Sequence, residues 1–139
     1  MRHESPEKSS TRLAAVRSRD TAPELLVRRM LHRMGLRFRL HRRDLPGCPD
    51  IVLPRWSTVV SVSGCFWHRH SGCRYAQDPH RNPEFWQTKF ARNVERDREN
   101  RGELRSRGWR VVTVWECETK SPARLLRRLR RLFPEDASP

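Results

Sequence analysis

Apolar residues recur along this chain in three rhythms, and each rhythm predicts an element. Leu26, Met30 and Met34 return every four residues, the spacing of one helix face. Thr21 with Glu24 three positions on forms a capping box, Pro23 suits a first turn, and Gly35 ends the run. Leu36, Phe38 and Leu40 then alternate with arginines, which predicts a half-buried strand. Beyond the turn LPGCPD (45–50), Ile51 to Leu53 and Thr58 to Val62 predict two strands joined around Pro54. Asn82 as cap, Pro83 at the first position and Gly108 as stop bound a long helix. Its stripe runs through Trp86, Phe90, Val94, Asp97, Arg101 and Leu104. WRVVTVWEC (109–117) is dense in β-branched and aromatic residues and predicts a buried strand. Ser121 and Pro122 open a last helix with Leu125, Leu126, Leu129 and Phe133 on one face. The order helix, three strands, helix, strand, helix describes an α/β sandwich around a mixed sheet.

Composition narrows what such a fold can do. The 139 residues suit one domain, and five Trp with five Phe supply a core although 33% of residues are charged. The 30 Lys and Arg against 16 Asp and Glu leave a net charge of +14, carried mostly by arginine. Its planar fork matches phosphate, so nucleic acid is the expected partner; some arginines, as in RLLRRLRR, only solvate a helix face. Residues 1–20 read as a flexible basic arm in which Leu13, Ala14, Ala15 and Val16 cluster, 21–133 as the folded domain, and 134–139 as a disordered tail. No stretch is apolar enough to span a bilayer, and the start lacks a secretory segment, so the cytoplasm is expected.

In that reducing setting the four cysteines predict metal ligands rather than disulfides. GCFWHRHSGC (64–73) brings together Cys65, His68, His70 and Cys73, while Cys117 ends the strongest strand and Cys48 stands apart. Thiolates with imidazole select zinc, but spacing leaves more candidates than a four-coordinate ion needs. A histidine left out of the metal set is free for other chemistry. Asp50 precedes a strand, a rigid and exposed place for a carboxylate that serves a metal-dependent nuclease, although Pro-Asp is also ordinary turn chemistry. Asp97 projects from the apolar stripe and needs a partner, either a neighbour on its own helix or a histidine that it orients. The capping position alone accounts for Glu24.

RDTAPE (19–24), LPGCPD, GCFWHRH with Cys73, EFW (84–86), NVERD (93–97) and GWRVVTVWEC (108–117), in this order, resemble the very short patch repair (Vsr) family of DNA mismatch endonucleases over nearly the whole chain. The resemblance implies a monomeric, restriction-endonuclease-like sandwich that nicks double-stranded DNA 5′ of the T in T:G mismatches, which arise when 5-methylcytosine deaminates. It implies Mg²⁺ on Asp50 and the backbone carbonyl of Val62, His68 as general base oriented by Asp97, and Glu24 helping to organise water at the metal. It also implies structural Zn²⁺ on Cys65, His70, Cys73 and Cys117. Phe66 and Trp67 match side chains that intercalate beside the mismatch, Trp86 supports them, and the arm with Leu13 and Val16 closes on the duplex. Mismatch-repair proteins are a further partner class.

The chain departs from the family pattern at three places. Val62 stands where a threonine is frequent, which preserves the carbonyl. Ser63 stands where a second active-site histidine can occur, leaving protonation of the leaving group to water. Cys48 replaces a frequent arginine. Two rival readings are a restriction-like nuclease that cuts both strands of matched DNA, and a zinc-stabilised DNA-binding module without catalysis.

Overall fold

The computed structural model describes residues 20–135. The arm with Leu13 and Val16, and tail residues 136–139, lie outside the described residues. Four strands form one sheet in the order β1 (Arg39–Leu40), β2 (Ile51–Leu53), β3 (Thr58–Ser63), β4 (Arg110–Trp115). The first two pairings are antiparallel, and β3 with β4 is parallel, so the sheet is mixed as expected. A parallel pair needs a long crossover, and α2 (Pro83–Ser106) supplies it. The other helices are α1 (Ala22–Arg33) and α3 (Pro122–Leu132).

Alternation along the strands sorts the core into two layers. Ile51, Leu53, Val60, Val112 and Val114 face α1 and α3, meeting Val27, Leu31, Leu125, Leu129 and Phe133. Val52 and Val59 face the other way, against Leu45 and Leu104 of α2. The α2 layer is thinner in apolar contacts, which leaves space for a cleft on that face.

Several elements differ from their sequence patterns. On α1 the fully buried residues are Glu24, Val27 and Leu31, one position round from Leu26, Met30 and Met34. The helix centres on the sheet, while Leu26, Met30 and Met34 look into the groove between α1 and α3. The strand expected over 36–40 shortens to two exposed residues at the sheet edge. Leu36 and Phe38 pack against the core without joining the ladder. Asn82 has a left-handed backbone (φ 50°) and makes no side-chain cap. On α2, Asn93 is buried and Val94 is 37% exposed, so the inward line runs Trp86, Phe90, Asn93, Asp97, Leu104. β4 stops at Trp115, where a 3-10 turn over Glu116–Lys120 takes over, and Cys117 sits on that turn rather than in the strand. The break follows from Glu118, whose carboxylate accepts from the Trp115 N–H at 2.9 Å and from Arg128 at 2.8 Å.

Candidate active site and thiol cluster

Three elements converge on a cleft of about 360 Å³ on the α2 face. Asp50 enters from the start of β2. Ser61, Val62 and Ser63 come from the end of the antiparallel neighbour β3, and Arg96, Asp97 and Arg101 from α2. The turn that delivers Asp50 needs its glycine: Gly47 has φ +75°, and a Cβ there would lie 2.8 Å from the Asn100 amide nitrogen. The turn therefore packs directly on α2.

The Asp50 carboxylate accepts a hydrogen bond from the Val62 N–H at 2.8 Å. Burial pushes its carboxyl up to about 6, the Val62 N–H opposes this, and the charge of Glu24 adds to it. A buried carboxylate beside another negative charge favours a cation at its side. A carboxylate is a hard oxygen donor of the kind Mg²⁺ takes. Across the same cleft His68 Nδ1 lies 2.6 Å from Asp97 Oδ2, a contact between residues 29 apart in sequence. With Nδ1 engaged, Nε2 is the nitrogen left for other partners. The alternative in which Asp97 pairs along its own helix is not realised; Arg96 instead donates to Asn93 at 2.8 Å.

The second histidine of the motif goes elsewhere. Ligand atoms of Cys65, His70, Cys73 and Cys117 all lie within 4.8 Å of one another. Three thiols and an imidazole at that spacing fit the four vertices around one zinc ion. His70 is stacked on Trp115 at 4.1 Å, and its Nδ1 lies 3.5 Å from Cys117 Sγ. The Cys117 N–H donates to Cys65 Sγ at 3.4 Å. Burial pushes the Cys65 thiol up to about 12 and raises Cys117 too, so ionising them calls for a cation among them. Neither His68 nor Cys48 belongs to this cluster; both line the cleft.

The aromatic residues are less exposed than their sequence context implies. Trp67, matched to an intercalating side chain, is only 7% exposed. Its carbonyl accepts from buried Asn93 at 3.2 Å, and Lys89 lies over its ring. Half-buried Phe66 meets Trp67, Trp86 and Phe90 at centroid distances of 5.1 to 5.8 Å. The reason is α2, whose first turns carry Trp86 and Phe90 and provide an apolar seat. Phe85, 54% exposed, is the open ring of this group.

Glu24 is buried, and protein groups engage both of its oxygens: the Asp20 N–H on Oε1, Arg28 and His41 on Oε2. His41 and Arg28 escaped the sequence pattern. His41 lines the cleft, and its N–H donates to the Asp50 carbonyl at 3.1 Å. The one sequence signal was its place at the end of an alternating run. Arg28 lay hidden among thirty basic residues.

A strand-end carboxylate, a histidine paired with a second carboxylate and arginines gathered in one cleft of an α/β fold are the groups that an enzyme of phosphodiester hydrolysis uses. The family described as DNA mismatch endonuclease Vsr matches residues 2–74. The chain is 47% identical over 129 residues to the type II nicking enzyme V.XorIIP of Xanthomonas oryzae pv. oryzae, covering 93% of this chain and 94% of that one. It is 43% identical over 128 residues to the type II nicking enzyme V.NmeAIP of Neisseria meningitidis, covering 92% and 91%. It is 40% identical over 116 residues to the DNA mismatch endonuclease Vsr of Escherichia coli, covering 84% and 74%. The chain belongs to the DNA mismatch endonuclease Vsr family and is an endodeoxyribonuclease of mismatch repair. No helix among the described residues is long and apolar enough to cross a membrane.

Proposed function

We propose that this endonuclease nicks duplex DNA on the 5′ side of the thymine in a T:G mismatch, using Mg²⁺ held by Asp50 and the Val62 carbonyl. The observation that carries the reading is the His68–Asp97 pair at 2.6 Å in the cleft that also holds Asp50. Mg²⁺ there would supply charge stabilisation at the phosphate under attack. Asp97 keeps the proton of the imidazole on Nδ1, so His68 Nε2 takes one from the attacking water. Arg96 and Arg101 on the cleft wall hold flanking phosphates. Glu24 holds His41, and through it the main chain of Asp50, in register.

Zn²⁺ on Cys65, His70, Cys73 and Cys117 would pin the loop that carries both His68 and the aromatic residues. A T:G wobble stacks less well than a matched pair, so inserting Phe66 beside it, with Trp67 and Trp86 behind, costs less than at a normal step. The arm with Leu13 and Val16 closes on the duplex. A monomeric, restriction-endonuclease-like architecture and contacts with mismatch-repair proteins complete the proposal.

The test is nicking of paired T:G and T:A duplexes in Mg²⁺ by the purified chain and by Asp50→Ala and His68→Ala variants. Single-strand cleavage of T:G alone, lost with Asp50→Ala and reduced ~10²- to 10⁴-fold with His68→Ala, is expected. Equal cutting of both strands of T:A, or undiminished nicking by Asp50→Ala, overturns the reading.

A further inference from the structure

Arg69 stands between His68 of the cleft and His70 of the thiol cluster, and neither the proposed reaction nor the zinc set uses it. Its backbone is left-handed (φ 51°), a conformation that an arginine keeps only where its surroundings hold it. The side chain is 18% exposed although it carries a charge. Its guanidinium carbon lies 4.1 Å from the Phe90 ring centroid and 5.7 Å from that of Phe66. Nη1 donates to the Phe66 carbonyl at 3.3 Å, and Nη2 donates to Asp78 on the segment that leads into α2. One planar group therefore stacks on the seat of Phe66, holds its main chain and ties both to the loop before the helix.

We propose that Arg69 is a positioning residue for mismatch discrimination: its guanidinium, stacked on Phe90 and bonded to the Phe66 carbonyl, fixes the pose in which Phe66 meets the mismatched step. The inference rests on Phe66 as the inserted ring proposed above. T:G and matched steps differ only modestly in the cost of unstacking, so a ring that must first be ordered spends on its own ordering the energy that separates them. A ring already held in place keeps that difference. The guanidinium suits the task because it is flat: it covers an aromatic face while its two terminal nitrogens hold separate acceptors. An ammonium in its place has no plane to stack and no fork. Arg69 is thus withdrawn from the phosphate-binding role that the abundance of arginine implies for its neighbours.

Fluorescence of 2-aminopurine at the base step beside T:G tests this without using cleavage, because the base brightens when it unstacks. The zinc-loaded full chain is used without Mg²⁺, so that the duplex stays intact. The parent is expected to brighten the T:G duplex and to leave a T:A duplex dark. Arg69→Met, which keeps an aliphatic cover on Phe90 and loses the fork, should bind T:G about fivefold less tightly with T:A binding unchanged, and the brightening should fall with it. Arg69→Lys keeps the charge and should restore neither; it decides the matter alone if Arg69→Met does not fold. The slope of log affinity against log salt should stay that of the parent in both. Undiminished brightening and T:G preference in either variant overturns the inference, as does a slope reduced by about one in Arg69→Met, which would make Arg69 a phosphate contact. Phe66→Ala separates the two readings. If it still brightens T:G, the insertion of Phe66 falls; if it does not, while the Arg69 variants do, only the role of Arg69 falls.

Discussion

At the scale of single residues, the burial of Asp50 makes its charge costly to the fold. Its carboxyl is raised from the usual 3.8 to about 6. A group whose folded-state pKa is raised binds protons more tightly in the native state, so its ionisation costs stability. That cost is absent below about pH 4, grows as the pH rises to about 6, and is constant above. A rise from 3.8 to about 6 sets an upper bound of about 3 kcal/mol on that cost. Asp50→Asn keeps an acceptor for the Val62 N–H and removes the charge. In zinc-loaded protein free of Mg²⁺ it should raise stability at pH 7.5 by ~1–3 kcal/mol in urea melts and converge with the parent near pH 4, and with Mg²⁺ restored it should abolish nicking. A variant less stable than the parent at pH 7.5 contradicts the account. Parent nicking at limiting Mg²⁺ should fall as the pH drops through 6, because the protonated carboxyl no longer holds a cation.

The loop between β3 and α2 performs separable jobs, and its two adjacent aromatics answer differently to truncation. Trp67 is buried, so Trp67→Ala should cost ~3–5 kcal/mol in thermal or denaturant melts. Half-buried Phe66 should lose much less stability on truncation yet weaken binding to a T:G duplex relative to T:A, as gel shift would show. Equal destabilisation by the two substitutions would remove the distinction. The thiol cluster ties this loop to the 3-10 turn after β4, which brings Cys117 to Cys65 across 52 positions. Cys117→Ser, or treatment with a strong chelator, should release about one zinc per chain and lower Tm by roughly 10 °C, equivalent to ~3 kcal/mol. Nicking should fall with it, because His68 is carried on the same loop.

For the molecule as a whole, the charge of +14 governs affinity for DNA more than choice of site. Among the described residues neither Arg96 nor Arg101 is paired with a carboxylate, and both line the cleft. With ~6–8 phosphates contacted, duplex binding should weaken ~10³-fold or more between 50 and 200 mM salt. Arg101→Ala should reduce the slope of log affinity against log salt by about one while leaving the preference for T:G over T:A unchanged. An altered preference with an unaltered slope would instead make Arg101 a reader of bases.

The chain alone determined whatever depends on neighbours within a turn or two. The capping of α1 by Thr21, the start of α2 at Pro83, the β-branched run of β4, buried at Val112 and Val114 alone, and the strand-end position of Asp50 are local, written in periodicity and backbone preference. The motifs also contain Asp50, His68 and Asp97, which the fold gathers in one cleft. Local pattern could not divide six candidate ligands between a thiol cluster and a cleft, because that division depends on where the strand order and the α2 crossover carry each side chain. Tertiary structure decided that His68 meets Asp97 and His70 meets Cys117, that α2 provides a seat for Trp67, and that Arg28 and His41 close around Glu24. Each of these is a contact between segments distant in sequence, and its partner is chosen by packing on the sheet, not by spacing along the chain.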